Sequence, residues 1–307
     1  MTHRQATMRW PEQIKLYARH QGKTLIGLIV AVAGLLWLWS LAVSNPSEHP
    51  STALTLAMLG GVAGFVSTAV GALPALILNN LRSRTEDVML GTAAGMMLAA
   101  ACFSLLIPGL QAGATLTGSA VMGAGLVVVG MAAGVMLMLG LDAFTPHEHF
   151  KTGPCGPGHE RCARVWLFIF AIALHNLPEG MAVGFGFAGQ DVSVGLPLAL
   201  AISLQNLPEG LAVAMSLRSI GTRPLNALLI TAATGLLEPV GALLGVSLVG
   251  GSELAYPIGL GLAAGAMLFV VSHEVIPETH RNNHQTPATI GLITGFALMM
   301  VIDSTLG

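Results

Sequence analysis

Apolar stretches long enough to cross a bilayer alternate with short polar connections along almost the whole chain. About 20 residues span the hydrocarbon layer as a helix. Nine such stretches fall at 24–44, 52–79, 87–108, 118–142, 164–187, 193–217, 224–249, 254–276 and 287–306. The pattern predicts an all-α polytopic membrane protein. Polar punctuation tests the count. Arg4, Arg9, Lys15, Arg19 and Lys23 precede the first stretch; Arg82 and Arg84 lie between the second and third; Lys151, Arg161 and Arg164 precede or open the fifth. Arg218 and Arg223 separate the sixth and seventh, and Arg281 the eighth and ninth, which completes the 13 basic residues of the chain. With nine alternating spans they all fall on one side. The positive-inside rule makes that side the cytoplasm and puts the C-terminus outside. A bacterial inner-membrane protein with a cytoplasmic N-terminus is the expected arrangement.

The first stretch has a basic flank and ends in Ala42-Val43-Ser44, a sequence that resembles a signal-peptidase site. Its apolar core is longer than the usual core of a signal peptide, so it reads as a retained span. Residues 1–50 are then a basic N-terminus with an additional helix. Residues 51–307 form the main membrane domain, with a cytoplasmic loop at 143–163.

Composition agrees. Of 307 residues 53% are hydrophobic and 9% charged, against about a quarter charged in soluble domains. Mean hydropathy is +0.74. The 38 glycines suit helices that approach closely in lipid. A net charge of −2 argues against a nucleic-acid partner, and three cysteines do not make a disulfide framework.

An internal repeat organises these spans. Val70-Gly71-Ala72-Leu73 recurs as Val240-Gly241-Ala242-Leu243, and the Gly-x-Ala-Ala-Gly-x-Met-Leu pattern of Gly91 to Leu98 recurs from Gly261 to Leu268, both with a shift of 170. Gly134 to Asp142 loosely matches Gly295 to Asp303. Spans two to four thus correspond to spans seven to nine, and the intervening spans make the two copies run oppositely through the bilayer. Inverted repeats around loosened midplane helices are characteristic of alternating-access transporters.

The central pair of spans carries the chemistry. His175-Asn176-Leu177-Pro178-Glu179-Gly180 is echoed by Gln205-Asn206-Leu207-Pro208-Glu209-Gly210. In both, a side chain able to bind metal precedes a carboxylate by four residues, so the two share a helix face. The internal proline lacks an N–H and frees the carbonyls of Leu174 and Leu204. Glu238, followed by Pro239, is a third mid-span acid. Such an acid at the bilayer centre costs about 2.5–3.5 kcal/mol on insertion scales, and no Lys or Arg sits mid-span to offset it. A passing dication does so. Imidazole with carboxylate suits zinc, and also cadmium, iron(II) or manganese. Asn176 and Asn206, turned about 100° round the helix, suit a second ion that shares Glu179 and Glu209 and is completed by Glu238.

The paired hexapeptides and the following Glu-Pro resemble the ZIP (Zrt/Irt-like protein) family of divalent-metal transporters, in its bacterial GufA-like branch. The resemblance covers about residues 52–307. It implies a 3+2+3 bundle of eight helices, a binuclear site between spans five and six, metal uptake into the cytoplasm, and a homodimer. Carried over by position, it implies Met97, His175, Glu179, Gln205 and Glu209 around one ion, and Asn176, Glu179, Asn206, Glu209 and Glu238 around the other. Met97 rests on the resemblance alone; by its own surroundings it reads as core. Two departures stand out. Gln205 occupies a position where many relatives have histidine, and Asn206 one where an acid can occur. The extra first span exceeds the family's eight helices.

Further polar residues mark a path. His273, Glu274 and His284 lie towards the cytoplasmic end of span eight and beyond, Asp142 and Asp303 near opposite mouths, and Ser104 on the third span. Asp87, near the start of that span, reads as an N-terminal helix charge. The loop before span five holds His147, His149, Cys155, His159 and Cys162, soft and borderline ligands whose spacing fits transient capture rather than a closed zinc site. The expected activity is divalent-metal transport by alternating access across the lipid bilayer, with the ion as cargo and no separate cofactor. A passive metal channel is the nearer alternative. An intramembrane metalloenzyme is the further one, disfavoured because no HExxH occurs and no separate general base accompanies His175 and Glu179.

Overall fold

The computed structural model describes residues 50–78, 81–144, 159–188, 192–249 and 252–306; within helices, the side chains of 50, 51, 142–144, 159–164, 167 and 306 lie outside the description. The expected first span and the loop residues His147, His149 and Cys155 therefore fall outside it, as do the side chains of Asp142, His159 and Cys162. Among the described residues eight helices are long and apolar enough to cross a membrane. They are α1 (Thr52–Leu76), α2 (Ser83–Thr117), α3 (Ala120–Leu141), α4 (Phe168–Ala188), α5 (Val192–Ser219), α6 (Pro224–Val249), α7 (Ala255–Thr279) and α8 (Gln285–Thr305). These are the second to ninth expected spans.

Proline shapes several of them. The helices of α4 and α5 run on through Pro178 and Pro208, so the missing donors to the Leu174 and Leu204 carbonyls do not end either helix. Packing against neighbours holds these turns together despite the lost donor. Breaks occur elsewhere. α6 is two helices, Pro224–Gly235 and Leu237–Val249; Pro239 cannot donate to the carbonyl of Gly235, and the chain resets at Leu236. Glu238 thereby enters the first turn of a new helix, where free backbone N–H groups favour a negative side chain. In α2 and α7, π-helical segments at Ala101–Leu106 and Val271–Val275 precede Pro108 and Pro277. A proline cannot make the four-residue backbone bond, so the wider turn forms just before it.

These π segments begin 170 residues apart, the shift of the sequence repeat. The repeat holds at the level of backbone contact. A Cβ on Gly95 would overlap the carbonyl oxygen of Leu292, and one on Gly265 that of Met131. Likewise Gly71 lies against the Leu207 oxygen and Gly241 against the Leu177 oxygen. In every case both members of one contact map onto both members of the other. The helix pairing has the same symmetry: α1 packs on α5 as α6 packs on α4, and α2 packs on α8 as α7 packs on α3.

Two groups of four helices result. Close glycine-to-backbone approaches join α1, α4, α5 and α6 to one another, and α2, α3, α7 and α8 to one another. Between the groups, contact runs chiefly through α2 with α5 and α4 with α7. There the close glycine approach among the described residues is to a side chain, the Phe185 ring covering Gly259. The core proper is built from small residues and methionine, with Phe185, Met97, Met267 and Met299 among its largest buried side chains.

Without bare backbone at these crossings the paired helices must separate. Gly95→Val and Gly265→Val are each expected to destabilise the bundle by about 1–3 kcal/mol, read as a lower thermal midpoint in detergent. Gly125→Val, where an added Cβ meets nothing within 4 Å, is expected to stay at or above the parent midpoint.

Candidate metal site

Six polar side chains of the two hexapeptides are buried together in this apolar interior: His175, Asn176, Glu179, Gln205, Asn206 and Glu209, all 5% exposed or less. Glu238 joins them from the break in α6 at 1% exposed. Helical spacing brings this about. The four-residue step aligns His175 with Glu179 and Gln205 with Glu209, and the crossing of α4 on α5 sets the two stripes face to face. Glu179 lies within electrostatic range of Glu209 and Glu238, and Glu209 within range of His175.

The hydrogen bonding is lopsided. Gln205 Nε2 donates to Glu179 Oε1 at 2.6 Å. Asn206 Nδ2 donates to the carbonyl oxygen of Gly64 at 3.4 Å. Thr68 Oγ1 donates to Glu238 Oε1 at 3.1 Å. The opposite ends of these groups, Glu179 Oε2, Gln205 Oε1, Asn206 Oδ1 and Glu238 Oε2, are buried without a hydrogen-bond partner. All four are acceptor oxygens. His175 Nε2 and Asn176 Nδ2 are also without one. His175 Nε2 does lie 3.2 Å from Glu274 Oε2, near enough to pair in charge but misaligned for a hydrogen bond. Leaving one buried polar atom unsatisfied costs about 1–3 kcal/mol, so six in one place mark a region organised for something other than stability.

The acids, amides and histidine thus gather, though no three His, Cys, Asp or Glu side chains among the described residues close on a point that could hold a metal unaided. Amide oxygens are needed for a ligand set. Gly64 makes room for it: a Cβ there would overlap Glu238 Oε2 and lie 3.4 Å from Asn206 Nδ2. Met97 is 2% exposed and packed within the main apolar cluster.

The remaining candidates separate into pairs. Ser104 Oγ donates to Asp303 Oδ1 at 2.6 Å, joining the π segment of α2 to the end of α8. Glu274 occupies the matching place in the π segment of α7 and reaches His175 instead. His273 stacks on Phe269 with centroids 4.9 Å apart. His284 Nδ1 lies 2.8 Å from Asp87 Oδ2, and Asn282 Nδ2 donates to Asp87 Oδ1 at 3.0 Å. Asp87 is 2% exposed, which corrects its reading as a helix-start charge. It lies past the first turn of a helix that begins at Ser83, and the α7–α8 connection folds over it. Nearby, a cavity of about 200 Å³ is lined by Glu86, Asp87, Ser216, Glu278 and Asn282. Sequence reasoning missed Thr68 and Gly64. The signal available was the repeat itself, which sets Thr68 opposite Glu238 at the shift of 170.

The described residues form an eight-span bundle built from an inverted repeat, with acids and amides buried within it, which is the architecture of a polytopic membrane transporter. Residues 147–303 match the family profile described as ZIP Zinc transporter. The chain is 54% identical to Zinc transporter ZIPB of Bordetella bronchiseptica over 95% of each chain. It is 39% identical to Zinc transporter GufA of Myxococcus xanthus over 83% of this chain and 98% of that one. Zinc transporter ZupT of Stenotrophomonas maltophilia is 31% identical over 83% of this chain and 96% of its own. This chain belongs to the ZIP family, in its GufA-like branch, a family of transporters rather than enzymes.

Gly64→Ala tests the space reserved for the third acid. The added methyl displaces the Glu238 carboxylate, and zinc titration of the purified protein is expected to show at least one binding step weakened by about tenfold, the scale of losing a ligand's support.

Proposed function

We propose that this protein carries Zn²⁺, and with lower selectivity Cd²⁺, Fe²⁺ and Mn²⁺, from outside the cell into the cytoplasm. The observation that carries the reading is the set of buried acceptor oxygens of Glu179, Gln205, Asn206 and Glu238 left without a hydrogen-bond partner. A dication satisfies them and offsets the acids at once. The names of the relatives, all zinc transporters, support zinc as the cargo. One ion is held by Met97, His175, Glu179, Gln205 and Glu209. A second is held by Asn176, Glu179, Asn206, Glu209 and Glu238, so that Glu179 and Glu209 serve both.

Transport follows from movement of the group containing α4 and α5 against the group containing α2 and α7. Backbone contacts within each group and side-chain contacts between them support this, since a side-chain interface slides more readily than interlocked backbones. Ser104 and Asp303 stand on the approach from outside. Glu274, beside His175, receives the ion on the inward side, with His273, His284 and Asp142 beyond, and the 143–163 loop captures it after release. The basic connections at Arg82, Arg218 and Arg281 support an orientation with these helix ends, and Glu274 and His284 near them, on the cytoplasmic side. The protein works in the bacterial inner membrane as a homodimer, with its N-terminus in the cytoplasm.

Proteoliposomes test this directly. Zinc uptake is expected to saturate and to exchange against internal zinc, whereas a channel does neither. His175→Ala and Glu209→Ala are expected to lower uptake more than about tenfold; uptake equal to the parent in both removes the site from the pathway. Gln205→His, which replaces an amide by an imidazole, is expected to tighten zinc binding and shift selectivity from manganese towards zinc.

A further inference from the structure

Glu238 is the one buried acid of the site that α4 and α5 do not supply, and the hydroxyl that bonds its carboxylate comes from outside α6. The partner comes from α1. Thr68 is 4% exposed, and its hydroxyl lies 3.1 Å from Glu238 Oε1 and 3.3 Å from the carbonyl oxygen of Gly64. Both neighbours are acceptors, so the single hydroxyl proton faces two oxygens and the closer is the carboxylate. One turn earlier on the same helix, Gly64 provides the bare backbone over which Glu238 Oε2 lies, and its carbonyl oxygen takes the Nδ2 of Asn206. One turn of α1 therefore holds one end of two ligand groups and leaves the other end, Glu238 Oε2 and Asn206 Oδ1, free.

The inverted repeat sharpens the point. Thr68 and Glu238 are repeat equivalents of each other, so the approximate symmetry that relates the halves brings these two positions together. At the contact one half contributes a carboxylate and the other a hydroxyl that orients it. A second carboxylate at position 68 would add a further charge to a site already crowded with acids; a hydroxyl adds a donor without charge.

We propose that Thr68 is a positioning residue for the second ion. Its hydroxyl ties Glu238 Oε1 and so presents Oε2, with Asn206 Oδ1, in ligating orientation. The inference rests on the proposed metal site and assigns to α1 a part in it.

Zinc titration of the purified full-length protein, paired with zinc and cadmium uptake in proteoliposomes, tests it on Thr68→Val, Thr68→Ser and Glu238→Gln. Thr68→Val keeps the shape and removes the hydroxyl. It is expected to weaken one of the zinc steps by about tenfold, as loss of a hydrogen bond to a charged group does, with the thermal midpoint of the metal-free protein unchanged. Thr68→Ser is expected to restore binding, and Glu238→Gln to weaken the same step as Thr68→Val. Parental affinity in Thr68→Val overturns the proposal. So does failure of Thr68→Ser to restore binding, or a lowered metal-free midpoint in Thr68→Val, because either makes the residue a packing element. If Thr68→Val is parental while Glu238→Gln and Glu209→Ala are impaired, only the role of Thr68 falls. If all bind like the parent, the metal site itself falls.

Discussion

Carboxylates buried in lipid-depth protein, with only uncharged donors around them, are the constraint on which this structure turns. Glu179 is held by an amide, Glu238 by a hydroxyl, and both keep one oxygen free. A lysine or arginine in their place would satisfy the acids permanently, and a cation would then have to displace it. Neutral donors fix the geometry and leave the charge to be neutralised by whatever arrives. Preorganised acceptors of this kind favour an ion without the expense of assembling the site around it.

The scaffold serves the same end. Glycine against backbone carbonyl brings helices within each group of four to the closest approach available, and dispersion between such surfaces replaces the hydrophobic drive that lipid cannot supply. The two groups meet through side chains. His175, Asn176, Glu179, Gln205, Asn206, Glu209 and Glu238 all lie within one of the two groups, on α4, α5 and α6. The π segments of α2 and α7 lie at repeat-related places, and each presents a polar side chain: Ser104 bonded to Asp303, and Glu274 beside His175. The repeat has kept the backbone and exchanged the chemistry.

Much of this was legible in the chain. Spans two to nine, the repeat and the buried acids follow from hydropathy and spacing, because a bilayer forces every backbone group to be satisfied within its own segment. The hexapeptides announced themselves through acids with no basic neighbour. Less legible were the effects of proline. Pro178 and Pro208 leave their helices continuous, whereas Pro239, Pro108 and Pro277 accompany a break and two π segments. The local rule is the same in all five; the surrounding helices decide whether the freed carbonyl is tolerated, bypassed or ends the turn. Asp87 shows the same limit, since a charge near a helix start looks solvated until another connection covers it.

By itself the sequence determined which stretches are apolar enough to enter the membrane, which residues share a helix face, and that acids lie among them with no Lys or Arg mid-span, since these depend on solvent and on the helical period alone. Tertiary structure decided which end of Glu179, Gln205, Asn206 and Glu238 is tied and which is free. That depends on groups from distant helices, the Thr68 hydroxyl as donor and the Gly64 carbonyl as acceptor above all, whose proximity to Glu238 and Asn206 arises only when the two halves of the repeat close on each other.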